Sequence, residues 1–200
     1  MKKHSSMLIL VFVLMVMIQN IVIAQDSNNR PGFSNKGIKA ALGSGSTDVI
    51  SERGLEAGAG GALSLGYGFT DNFSLWLSLV GSKHKQTGSD VNLEFGGMEI
   101  NLQQKFNAHS AWQPYSKVGF GLYGLEEKNS DNSLIGAGIN LGLGIDYFFS
   151  KHIGVGAEFT YKKLDYFAQS RKTEEGDLIT DIYPNLNGDT TGFMLTLTVQ

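Results

Sequence analysis

From 135 to 147 the chain alternates without a break. The odd positions are Ile135, Ala137, Ile139, Leu141, Leu143, Ile145 and Tyr147, and the even ones are Gly136, Gly138, Asn140, Gly142, Gly144 and Asp146. Successive side chains of a β-strand point to opposite faces, so this segment has one apolar face and one bare or polar face. The same phase returns in Ile153, Val155, Ala157, Phe159 and Tyr161, and in Phe193, Leu195, Leu197 and Val199. Shorter versions occur at 63–69, 73–79 and 118–122, and a weaker one at Ile38, Ala40 and Leu42. One strand changes phase. Val91, Leu93 and Phe95 are apolar at odd positions, but Met98, Ile100 and Leu102 at even ones, which predicts a β-bulge at Gly96-Gly97. Eight strands follow, near 33–44, 56–69, 73–83, 90–106, 114–125, 133–148, 152–164 and 190–200.

The first residues read differently. A basic start, Met1-Lys2-Lys3-His4, precedes an apolar run over 7–18 and the small-residue ending Val22-Ile23-Ala24. This is the pattern of a secretory signal peptide, with cleavage expected after Ala24. The run is shorter than the ~20 residues a spanning helix needs, so the reading favours a leader over an anchor. A short N-terminal segment, 25–32, then leads into a single β domain over 33–200.

Alternation alone also suits a soluble barrel or a sandwich, and three features argue for a membrane. Connections at 70–72, 107–113 and 149–151 are fairly short, whereas those near 45–55, 84–89, 126–132 and 165–189 are mostly longer and charged. Barrels of the outer membrane have this asymmetry, with an even strand number and both termini on the short-turn side. Aromatic residues gather at the short turns: Tyr67, Phe69, Phe73, Phe106, Trp112, Tyr115, Tyr147, Phe148 and Phe149. Finally, the polar face is rich in glycine, which weakens a strand and needs a reason. A narrow lumen supplies one, because glycines leave room for Trp76, Tyr115, Tyr123 and charged side chains to cross it. The expected fold is an all-β, eight-stranded antiparallel up-and-down transmembrane β-barrel, its apolar rows facing lipid and every backbone group paired.

The stretches 114–121, 138–148 and 156–161, with their Gly-x-Gly spacing and alternating aromatics, resemble small bacterial outer-membrane barrels of the OmpX, OmpW and OmpA-transmembrane-domain type. The resemblance spans 33–200 and implies an outer-membrane location and assembly by the barrel-assembly machinery. The terminal Thr198-Val199-Gln200 departs from the aromatic ending common in such proteins.

Composition removes several function classes. With no Cys there is no disulfide framework, thiolate metal site or cysteine nucleophile, and a net charge of -3 gives no footprint for nucleic acid. No catalytic, cofactor-binding or metal site is expected. The ionisable residues expected to point inward are Lys39, Glu94, Glu99, Lys117, Asp146, Glu158 and Lys162. Buried charges must be paired, so they predict a salt-bridged network across the lumen, with Lys39 and Lys117 among Glu94, Asp146 and Glu158. His84 with Ser82 or Ser89, placed in a long loop near the outer leaflet, is the one arrangement that suggests a lipid hydrolase. Gly119-Phe120-Gly121-Leu122-Tyr123-Gly124 matches a dinucleotide motif but lies inside a strand, where no helix holds a phosphate.

The reading therefore favours a non-enzymatic barrel with a structural or loop-presenting role. A narrow channel for small or apolar solutes and a lipid-modifying enzyme are its rivals. Expected partners are outer-membrane lipid and lipopolysaccharide, with an extracellular partner at 165–189.

Overall fold

The computed structural model describes residues 33–50, 55–86, 91–127, 132–173 and 176–200. Eight strands run β1 (Gly37–Ile50), β2 (Gly58–Gly68), β3 (Phe73–Lys85), β4 (Asn92–Lys105), β5 (Trp112–Glu127), β6 (Asn132–Phe148), β7 (Ile153–Thr173) and β8 (Gly176–Val199). Each pairs antiparallel with its sequence neighbour, and β8 closes on β1 from Ala40↔Val199 to Ile50↔Asp189. The result is a closed up-and-down barrel. The predicted signal peptide and its cleavage point lie outside the described residues.

The long alternating rows face outward. Leu77, Ile139 and Phe120 are about half exposed, and Ile145 lies on the same outer face, while Gly142 and Asp146 are buried inside. Two lumenal glycines show why bare positions are needed there. A Cβ on Gly66 would lie 2.6 Å from the Trp76 indole, and one on Gly144 would collide with the Tyr115 ring. Of the aromatic girdle, Tyr67, Phe69, Trp112, Tyr147 and Phe149 stand outward at the short turns. Trp112 packs on Tyr147 at 4.6 Å between ring centroids. Tyr115 and Phe148, grouped with them by sequence, turn into the lumen instead.

The bulge expected at Gly96-Gly97 is absent. Val80↔Gly97 and Gly81↔Gly96 continue the β3–β4 ladder in step, and Gly96↔Gly124 and Gly97↔Tyr123 do so on the other side. It is the environment that inverts, not the register. The outward row Leu63–Leu79–Met98–Leu122 is apolar; the next is Gly61–Gly81–Gly96–Gly124; the one beyond is Ala59–Lys83–Glu94–Glu126. Across the glycine row, apolar side chains move from the outside of the wall to the inside. There Val49, Leu93, Phe95, Tyr123, Leu125, Leu134, Leu164 and Tyr166 form one buried apolar core.

The barrel thus has two storeys of opposite polarity. The lower storey is apolar outside and polar inside, as lipid demands; the upper one is built like a soluble protein. Because the upper storey supplies its own core, strands extend further than the alternation suggested. The segment 165–189 is mostly hairpin rather than loop, with Ala168↔Asp181 to Thr173↔Gly176 paired. The irregularity in register falls at Phe167 on β7, which neither neighbouring strand matches.

Candidate functional site

The lumen of the lower storey holds three layers of ion pairs. Nearest the short turns, Lys105 Nζ lies 3.0 Å from Asp146 Oδ2 and donates to Gln113 Oε1 at 2.8 Å and Asn35 Oδ1 at 3.1 Å. Lys39 donates to the same Asn35 oxygen at 3.4 Å. In the middle layer Lys117 Nζ meets Glu158 Oε2 at 2.5 Å, and the Tyr115 hydroxyl donates to that carboxylate at 2.7 Å. Lys117 also sits over the Trp76 and Tyr115 rings. In the third layer Lys162 pairs with Glu99, which accepts from the Tyr123 hydroxyl at 3.2 Å and from Asn101 Nδ2 at 3.2 Å. Glu158 and Glu99 each thereby have an ammonium and at least one neutral donor, and Asp146 has the Lys105 ammonium; pairing of this kind is the condition under which a buried charge is tolerated.

These layers leave little space. A cavity of about 40 Å³ lies between them and the small side chains of β1, β2 and β8, among them Ala41, Gly43, Ala62 and Thr196. It has room for roughly three waters. Above it, a second cavity of about 10 Å³ beside Ser82, Phe95 and Lys162 has room for one at most. The apolar core of the upper storey closes the top.

Six of the seven residues expected to point inward do so: Lys39, Glu99, Asp146, Glu158 and Lys162 are buried, and Lys117 is in contact with Glu158. Glu94 does not. It lies outside, exposed, with its carboxylate 3.2 Å from Lys83 Nζ. A phase slip would have turned it inward, but with no slip it faces solvent opposite Leu93 and Phe95. The pairing also differs from expectation. Lys39 takes no carboxylate among the described residues, and Asp146 goes to Lys105, which the sequence reading missed. The signal for Lys105 was present, since Glu99, Asn101, Gln103 and Lys105 continue one face. For Asn35 no periodic signal exists. Ser82 and His84 do meet, at 2.7 Å between Oγ and Nε2, but inside the wall rather than toward lipid. His84 Nδ1 lies 3.1 Å from the carbonyl oxygen of Glu56, so no carboxylate completes a triad. Ser89 lies outside the described residues.

The family pattern described as "Outer membrane protein beta-barrel domain" matches residues 8–199. The chain belongs to the outer-membrane β-barrel family. Its location is therefore the outer membrane, with the short turns in the periplasm and the upper storey outside the cell. The fold is similar to that of Neisserial surface protein A, at a TM-score of 0.65 and 14% identity over 82% of this chain and 97% of that one. OprG of Pseudomonas aeruginosa superimposes at 0.53 with 17% identity, covering 82% and 97%. Ail, the attachment invasion locus protein of Yersinia pestis, does so at 0.50 with 12%, covering 82% and 98%. Among curated protein sequences there is no match.

Within this family member the periplasmic mouth is crossed by the segment just before β1. Asn35 is buried, its Nδ2 donating to the Ala108 carbonyl at 3.3 Å while its Oδ1 takes the two ammoniums. Outside, Asp71 in the β2–β3 turn accepts from the Ser34 hydroxyl at 2.9 Å and the Asn35 amide at 3.1 Å. Partial burial alone would push the Asp71 carboxyl up. The Ser34 and Asn35 hydrogen bonds, with Lys36 and His109 nearby, outweigh that and hold it below the ordinary value. A depressed carboxyl stabilises the fold above its unfolded value and loses that contribution as pH falls through the lower, folded one. The Asn35 amide resonance of the protein in micelles is accordingly expected to stay fixed from about pH 8 to 5 and to move only below about pH 4. Movement near neutrality would assign the contact to histidine titration instead.

Proposed function

We propose that the protein is a non-enzymatic barrel that carries a rigid extracellular storey, presents its β7–β8 hairpin to the exterior, and does not conduct. The observation that supports this most is the blocked lumen: three ion-pair layers below, an apolar core above, and space for a few waters between. Eight strands leave an interior that side chains fill. The hairpin carries exposed Leu178 and Ile179, an arrangement suited to contact with another molecule. Outer-membrane lipid and lipopolysaccharide are the surrounding partners on this reading, and the barrel-assembly machinery acts during biogenesis.

The test is planar-bilayer conductance of the purified protein. The expected result is a record indistinguishable from protein-free bilayers. Regular single-channel steps would establish the rival reading, a narrow channel. The Ser82–His84 contact favours a second reading, a lipid hydrolase. Against it, the pair faces the lumen, its third partner is a backbone carbonyl, and the cavity beside Ser82 holds no more than a water. A fluorophosphonate probe is expected to leave Ser82 unlabelled.

A further inference from the structure

Among the described residues, the lumen of the lower storey contains four lysines and three acids. Lys105, Lys117 and Lys162 each meet one carboxylate, and the fourth, Lys39, is buried against an amide oxygen alone among the described residues. That oxygen belongs to Asn35, which also serves Lys105. One neutral side chain therefore holds two buried ammoniums at the periplasmic mouth.

Asn35 does not belong to the barrel wall. It sits in Phe33–Lys36, a segment tied down at three places. Phe33 packs on Phe148 at 6.2 Å between centroids, and its carbonyl lies 3.3 Å from His109 Nδ1. Ser34, the Asn35 amide and Lys36 converge on Asp71, the last with Nζ 3.8 Å from Oδ2. The Asn35 side chain enters the lumen between Lys39, Lys105 and Ala108. The wall is shaped to receive it, because any Cβ on Gly68 would overlap the Asn35 carbonyl. Between segment and strand stands Gly37, with φ of 98° and open space where a side chain would be. Such a backbone angle is accessible to glycine and poorly to other residues, so the junction between segment and strand calls for glycine.

We propose that Phe33–Lys36 is a strap that closes the periplasmic mouth, and that its release uncovers a vestibule, lined by Lys39 and Lys105, which accepts anions. With Asn35 withdrawn, two ammoniums face one carboxylate, Asp146, and the excess positive charge attracts small anions from the periplasm. The vestibule is blind, since the Lys117–Glu158 and Lys162–Glu99 layers lie beyond it.

The chain has no cysteine, so a single reporter thiol is unambiguous. Ser74 is buried and pairs with Gly68, directly behind the strap. Ser74→Cys in the refolded full-length mature protein would be treated with two methanethiosulfonates, one bearing a sulfonate and the other a trimethylammonium group. With the strap intact, labelling is expected to be slow. Adding Asn35→Ala, which removes the pin, or Asp71→Ala, which removes the outer clasp and leaves every lumenal partner in place, is expected to raise the rate about tenfold or more. In both variants the sulfonate reagent is expected to react faster than the cation by on the order of tenfold. Heat-modifiable migration on a gel reports that each barrel is folded. Rapid labelling of the parent, equal rates in a folded Asp71→Ala barrel, or a preference for the cationic reagent would each overturn the proposal.

Discussion

Replacing Glu99 by Ala is expected to lower the unfolding free energy by roughly 3–5 kcal/mol, because it strands a buried ammonium. Lys162 has Glu99 as its ion-pair partner, and both side chains are almost fully enclosed. The carboxylate also accepts from Asn101, so its loss leaves that amide donor short as well, whereas the Tyr123 hydroxyl keeps Asn140 as an acceptor. Pairing the change with Lys162→Met removes the stranded charge, and the double variant is expected to recover most of the loss. Urea unfolding in lipid or detergent, followed by tryptophan fluorescence, measures both. A single variant within about 1 kcal/mol of the parent would mean that water reaches the Lys162 ammonium and takes the place of Glu99.

An effect of similar size is expected at Phe95, for a different physical reason. The ring is buried in the upper storey and stacked on Tyr123 at 5.4 Å between centroids. Phe95→Ala removes a large buried apolar group from a core that no lipid can refill, and about 3–5 kcal/mol is the usual loss. The adjacent Glu94→Ala breaks an exposed pair with Lys83 and is expected to change stability by less than about 1 kcal/mol. The contrast between neighbours is the informative measurement. Hydrogen exchange localises it: protection is expected to fall at the outer ends of β4 and β5 while the lower storey stays protected. The opposite ranking, with Glu94 costly and Phe95 tolerant, would restore the slipped register and refute the two-storey barrel.

Glu94 shows how local pattern misleads. Reading Val91, Leu93 and Phe95 as lipid-facing assumes that apolar always means outward in such a barrel. That holds only where lipid surrounds the wall. Beyond the Gly61–Gly81–Gly96–Gly124 row the surroundings are aqueous, and the hydrophobic effect favours the opposite face with the register unchanged. The same assumption made 165–189 look like loop, since its charges no longer oppose an outward apolar row. His84, assigned to a loop, ends a strand and is buried.

By itself the sequence determined the architecture. Eight runs with period 2, glycines on one face and alternating connection lengths admit few structures besides a closed antiparallel barrel in lipid, because unpaired strand edges and exposed glycine faces are both unfavourable. It determined as well that charges such as Glu158 and Lys162 lie in the lumen, since side-chain direction follows from position parity. Partner choice belongs to the tertiary structure. Whether Asp146 meets Lys39 or Lys105 depends on strand tilt and on distances across the lumen, which no local pattern encodes. The strap is the extreme case: Asn35 meets Lys105, Ala108 and Asp71 only because the barrel closes and brings the β2–β3 and β4–β5 turns to one mouth.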